Sequence, residues 1–105
     1  MQDVFRALAE PRRIEILRLI GEAELASGEI AMHFKVSRPA ISQHLQVLKS
    51  AGLLSERRLG TRHYYSTRLE ALAELKEYLE QFWAVAQSRL AEASESEQRK
   101  LDSLP

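Results

Sequence analysis

The chain has 105 residues, 45% of them hydrophobic and 29% charged, with 15 acids balancing 15 lysines and arginines. A chain of that length suits one compact domain burying about 60 to 70 per cent of its unfolded surface, and a second domain is not expected. Without cysteine there is no disulfide framework, thiolate metal centre or thiol switch.

No apolar run approaches the roughly 20 residues of a membrane span. The first residues, MQDVFRALAEP, carry Asp3 and Glu10 where a cleavable signal would have a basic start and an apolar core. A cytoplasmic location is therefore expected. The neutral total hides an uneven distribution. Residues 35–68 hold Lys35, Arg38, Lys49, Arg57, Arg58, Arg62 and Arg68 against Glu56 alone, whereas both flanks are acidic. A localised basic surface attracts a phosphate backbone, and acidic flanks discourage adhesion elsewhere.

Val4, Phe5 and Leu8 mark a short first helix that ends before Pro11, which disfavours helical geometry at Glu10. Pro11 opens a second helix whose Ile16, Leu17, Leu19 and Ile20 supply a wide apolar face, closed by Gly21. Ser27 or Gly28 caps a short third helix with Ile30, Ala31 and Phe34 turned inward. In the fourth, Ser37 is the N-cap, Pro39 lies in the first turn and Gly52 closes the end. Ile41, Leu45 and Leu48 form its apolar stripe, while Arg38, Ser42, Gln43, Gln46 and Lys49 point away. That polar face offers a forked donor in Arg38, an amide in Gln43, and small Ala40 and Ser42 that permit close approach, a set suited to base edges in a major groove. The third and fourth helices together make a helix-turn-helix.

After Gly52, LLSERRLGTRHYYS switches to two-residue periodicity around a turn near Gly60, predicting a β-hairpin wing. Arg57, Arg58, Arg62 and His63 flank its tip and can lie along phosphates or reach a minor groove. Tyr64 and Tyr65 face opposite sides, one of them packing on the core. From Leu69 a long helix carries Leu72, Leu75, Leu79, Phe82, Trp83, Ala86 and Leu90 at steps of three and four. A stripe of about five turns exceeds what a small domain covers, so a homodimer through the terminal helices is expected, with Val4, Phe5 and Leu8 joining the same surface. The domain is thus expected over residues 1–93, with residues 94–105 a disordered tail.

Catalysis is not expected. Ser42 and His44, two positions apart on a helix, point to nearly opposite sides, and the isolated glycines make no phosphate-cradling loop. Of the three histidines, His33 reads as a partly buried or surface side chain. His44 and His63 would tighten DNA binding below a pH of about 6.5 if they meet phosphate.

In order and spacing, ALAEPRRIEIL, SGEIAMHFKVSRPAISQHLQVLKSAGLL and RRLGTRHYYS resemble the ArsR/SmtB-type winged-helix repressors over residues 3–90. The resemblance implies a mainly α fold with a small β-hairpin, and a dimeric bacterial repressor of an inverted-repeat operator. It also implies that Ser37, Arg38, Pro39, Ala40, Ser42, Gln43 and His44 occupy the recognition-helix positions. Where metal-sensing members carry a cysteine motif, this chain has ELASGE, with Ala26 and Gly28 in the thiol positions, and residues 69–93 lack the histidine and aspartate of the family's other site. The chain is therefore similar to the metal-independent, SdpR-like members, released by a protein or small molecule, and no cofactor is expected. The alternative is a winged helix whose basic wing docks an acidic protein without reading DNA sequence.

Overall fold

The computed structural model describes residues 1–21 and 23–104. Among these residues five helices and three strands follow one another as α1 (Gln2–Leu8), α2 (Pro11–Ile20), β1 (Leu25–Ala26), α3 (Ser27–Met32), α4 (Arg38–Ser50), β2 (Leu54–Leu59), β3 (Arg62–Thr67) and α5 (Leu69–Asp102). The chain divides into two compact units, Met1–Leu72 and a second that begins at Ala73.

Local chemistry sets the helix boundaries of the first unit. Glu10 caps α2, its carboxylate accepting from the Arg13 backbone N–H, with Pro11 in the first turn where a missing donor costs little. Ser37 caps α4 in the same way, its Oγ accepting from the Ala40 N–H at 3.3 Å. At the other end of α4 the Gly52 N–H reaches the Lys49 carbonyl at 2.9 Å and the Leu53 N–H reaches the Leu48 carbonyl at 3.0 Å. This is a Schellman closure, and Gly52, at φ +82°, occupies its left-handed position. The third helix starts one or two residues earlier than expected. Its N-cap is Ala26, and the Glu29 carboxylate reaches back to the Ala26 N–H at 3.1 Å, so Ser27 and Gly28 lie inside the first turn.

Ile41, Leu45 and Leu48 of α4 meet Ala7, Ile16, Ile20, Ile30, Leu53, Leu54 and Tyr65 in a single core. A side chain of this size gains about 1.5 to 3 kcal/mol on full burial, so this cluster holds the unit together. The sheet is antiparallel in the order β1-β3-β2. Its hairpin turns through two residues, Gly60 and Thr61, with Gly60 at φ +64°, the positive φ that a type II′ turn requires of its first central residue. The two-residue β1 was not expected; it exists by pairing Leu25 with Tyr65 and Ala26 with Tyr64.

The second unit is helical. The expected tail from residue 94 is instead part of α5, which runs to Asp102. Alanine, glutamate, glutamine, arginine and lysine are good helix formers, and Glu95 with Arg99 and Gln98 with Asp102 pair one turn apart. No residue of α5 is buried.

Candidate nucleic-acid interface

With the α4 stripe committed to the core, Ser37, Arg38, Pro39, Ser42, Gln43, Gln46 and Lys49 are exposed and Ala40 is half-buried. Arg38 lies back across the start of α3. Its Nη2 is so close to Gly28 that a Cβ there would stand 2.9 Å away, which makes Gly28 the clearance for this arginine. His44 behaves differently. It is half-buried, and its Nδ1 accepts from Arg13 Nε at 3.2 Å, while Arg13 Nη1 donates to the carbonyls of Arg6 and Ala7 at 3.2 and 3.3 Å. His44 thus ties α4 to the junction of α1 and α2.

Strand alternation sorts the wing residues into two sets. Glu56 and Arg58 of β2 share a face with His63 and Tyr65 of β3, and this face, with Ser42, Gln46 and Lys49 of α4, lines one polar groove. Arg57 falls on the opposite face. There Glu24 takes it with two bonds, at 2.6 and 3.3 Å, and its guanidinium sits 5.0 Å from the centre of the Tyr64 ring. The bond to Arg57 holds the Glu24 carboxyl below the ordinary carboxylate value. Arg57, expected on the duplex, is therefore already paired within the protein. Arg62 is exposed near the wing tip, 3.5 Å from the Tyr64 hydroxyl, and borders a hollow with Arg38, Thr61 and Met32. Of the two tyrosines, Tyr65 packs on the core, and burial, followed by the nearby Glu56 charge, pushes its hydroxyl pKa up.

Glu56 is the residue that sequence reasoning passed over. Its carboxylate receives Lys49 Nζ at 2.9 Å, lies 2.5 Å from His63 Nδ1 and stands 3.8 Å from Arg58 Nε. The His63 and Lys49 bonds hold its pKa down at about 2. A signal was present in the sequence, since on a two-residue strand period Glu56 must share a face with Arg58. The groove thus holds Ser42 and Gln46 with no acid on them and Arg58 only loosely paired, whereas Lys49 and His63 are engaged; Arg38 and Arg62 border the neighbouring hollow, and Gln43 is exposed on the same helix.

The expected interface residues also separate. Val4 and Leu8 are half-buried against the core of the first unit, while Phe5 is exposed. On α5, Leu72, Leu79, Phe82, Trp83 and Leu90 are exposed, and Leu75 and Ala86 are half-buried. Tyr78 and Phe82 stack edge to face at 5.5 Å. Among the described residues no three His, Asp or Glu side chains are grouped to hold a metal ion, and no helix is long and apolar enough to cross a membrane.

The sequence pattern described as bacterial regulatory protein, arsR family, matches residues 10–56. The HTH-type transcriptional regulator Rv2034 of Mycobacterium tuberculosis is 42% identical over 93 residues, covering 89% of this chain and 87% of its own length. The transcriptional repressor SdpR of Bacillus subtilis is 40% identical over 74 residues, covering 70% of this chain and 82% of its own. Among solved structures, the homodimeric winged helix-turn-helix DNA-binding domain Mb0332 of Mycobacterium bovis aligns with a TM-score of 0.65 at 38% identity, covering 85% of this chain and 80% of that one.

Proposed function

The chain belongs to the ArsR family of bacterial regulatory proteins, and from that premise we propose that it is a homodimeric repressor of transcription that reads an inverted-repeat operator in the cytoplasm. The observation that carries this reading is the α4 surface. One side is sealed into the core, and the other presents Arg38, Ser42, Gln43 and Gln46 beside a groove closed by the wing. Arg38 supplies a fork for guanine, Gln43 a paired donor and acceptor for adenine, and Ser42 a small hydroxyl that either can pass. Arg58 and Arg62 reach phosphates on either side, adding affinity with little sequence information.

Two copies joined through the exposed stripe of α5 would set their α4 helices about 34 to 36 Å apart, one turn of duplex. The SdpR and Mb0332 descriptions, a repressor and a homodimer, support that assembly. Residues 1–93 would hold the DNA-binding and dimerising parts. The thiol positions of the metal-sensing pattern hold Ala26 and Gly28, whose side chains offer no ligand, so the releasing signal would be other than a metal ion.

Fluorescence anisotropy on short duplexes tiling the region upstream of the protein's own gene, with excess random DNA present, tests the reading. A competitor-resistant complex on one inverted repeat is expected. Binding everywhere equal to random duplex, there and in a selection from a random library, would replace it with the protein-docking role.

A further inference from the structure

Glu56 poses a physical problem. It puts a negative charge in the groove proposed to meet a polyanion, and the side chain is only 9% exposed, yet Lys49, its partner at 2.9 Å, is 46% exposed. An ion pair with one such solvated member contributes little to stability, and any carboxylate here lowers affinity for phosphate. The arrangement makes sense as a clamp. Lys49 comes from the last turn of α4, Glu56 from β2 and His63 from β3, so one carboxylate joins the recognition helix to both strands of the wing. Tyr65, from the same strand face, brings its hydroxyl to Glu56 and to Gln46 of α4.

We propose that Glu56 is a positioning residue for DNA discrimination: it sets helix and wing as one preformed surface and withholds Lys49 and His63 from phosphates. This rests on the reading above that the groove meets DNA. A surface ordered before the encounter spends less of its contact energy on ordering, which favours the duplex that fits. A cation occupied internally, Lys49, subtracts from the sequence-independent part of binding, which follows the number of phosphates neutralised. The net effect is selectivity obtained by weakening attraction to every duplex while keeping the fit to one.

The test is Glu56→Gln, which keeps the shape and removes the charge, assayed at constant pH on a random-sequence duplex and on a duplex selected from a random library by the wild type. On random DNA the variant is expected to bind more tightly, with a salt slope steeper by about 0.9, one added phosphate, and the ratio of selected to random affinity should fall by about tenfold. Adding Lys49→Gln should return the slope to its wild-type value, a reversal that a merely structural role would not produce. Lys49→Gln alone should leave the slope unchanged, whereas Arg58→Gln should lower it.

An unchanged slope and ratio in Glu56→Gln, or a slope lowered by about one phosphate in Lys49→Gln alone, would overturn the proposal. Should Glu56→Gln fail to fold, the single Lys49 and Arg58 variants still decide it. Amide exchange in DNA-free protein supplies a readout independent of binding: β2 and β3 should exchange faster in Glu56→Gln while the α4 core amides stay protected. If the wild type binds no duplex, the regulatory reading falls; unchanged wing exchange removes the clamp itself.

Discussion

Helices α4 and α5 carry the same kind of apolar stripe and meet opposite fates. In α4, Ile41, Leu45 and Leu48 are 1%, 0% and 0% exposed; in α5, Leu79, Phe82, Trp83 and Leu90 are 49%, 60%, 55% and 62% exposed. The first stripe faces elements of its own unit, so its polar reverse side becomes a reading surface. The second is left over, and its large aromatics are of the type that interfaces bury. Periodicity therefore marks a face suited to burial, and only the surroundings decide whether its own unit covers it.

The contrast breaks most readily at α5. Leu79→Glu with Trp83→Glu should yield monomers in sedimentation, with operator affinity dropping to near the random-DNA level, a loss of about 1,000-fold or more, while the α4 core amides remain protected. Retained dimerisation would move the interface elsewhere. Leu45→Ala should do the converse, lowering the unfolding free energy by about 2 to 5 kcal/mol in urea titrations, because a cavity is left in a closed core. The variant should still self-associate wherever it remains folded.

The reverse face of α4 gives smaller and more specific effects. Arg38→Ala and Gln43→Ala should each cost about 1 to 3 kcal/mol on the operator and almost nothing on random duplex. Arg62→Ala should weaken all duplexes alike and lower the salt slope by about one phosphate. Competition titrations at several salt concentrations separate the two patterns, and equal losses on both kinds of DNA would contradict the division into reading and anchoring residues.

The smallest expected effect concerns acid. The Glu56 carboxyl is held at about 2 in the fold against an ordinary value of 4.5, so its ionised form favours the folded state. That contribution is complete above the ordinary value and disappears as pH falls towards 2. The gap in urea midpoint between wild type and Glu56→Gln should accordingly narrow over this range.

Elements whose cause is local could be read from the residues themselves. Ser37 and Pro39 announced the start of α4, Gly52 its end and Gly60 the wing turn, because caps and turns depend on neighbours within a few positions. The Ile41, Leu45 and Leu48 stripe was legible for the same reason. What escaped depends on partners distant in sequence. Two residues of β1 carry no periodicity and exist only through β3, the Arg57 and Glu24 pair spans 33 positions, and Arg13 reaches His44 across 31. Low apolar content after Ala93 suggested disorder, although alanine and long charged side chains suit a helix, and α5 continues through them. Of the residues expected at the duplex, Lys49, Arg57 and His63 pair with an acid at 2.9 Å or less, and His44 accepts from Arg13. Counting bases along a segment gives its charge, but not how much of that charge is already spent.

The wing tip has a consequence for how such a protein can diverge. A Cβ added at Gly60 would meet nothing within 4 Å, and both loop residues are exposed. At the root of the same hairpin, Leu53 and Leu54 are sealed in the core directly after the α4 closure. Lengthening the hairpin by a pair of residues at its tip keeps the alternation of faces and leaves the core unchanged, since loop extension adds little entropic cost. Evolution can thus treat reach along the duplex as an adjustable length, separate from the helix that chooses the sequence. An insertion at the root would have to move both at once.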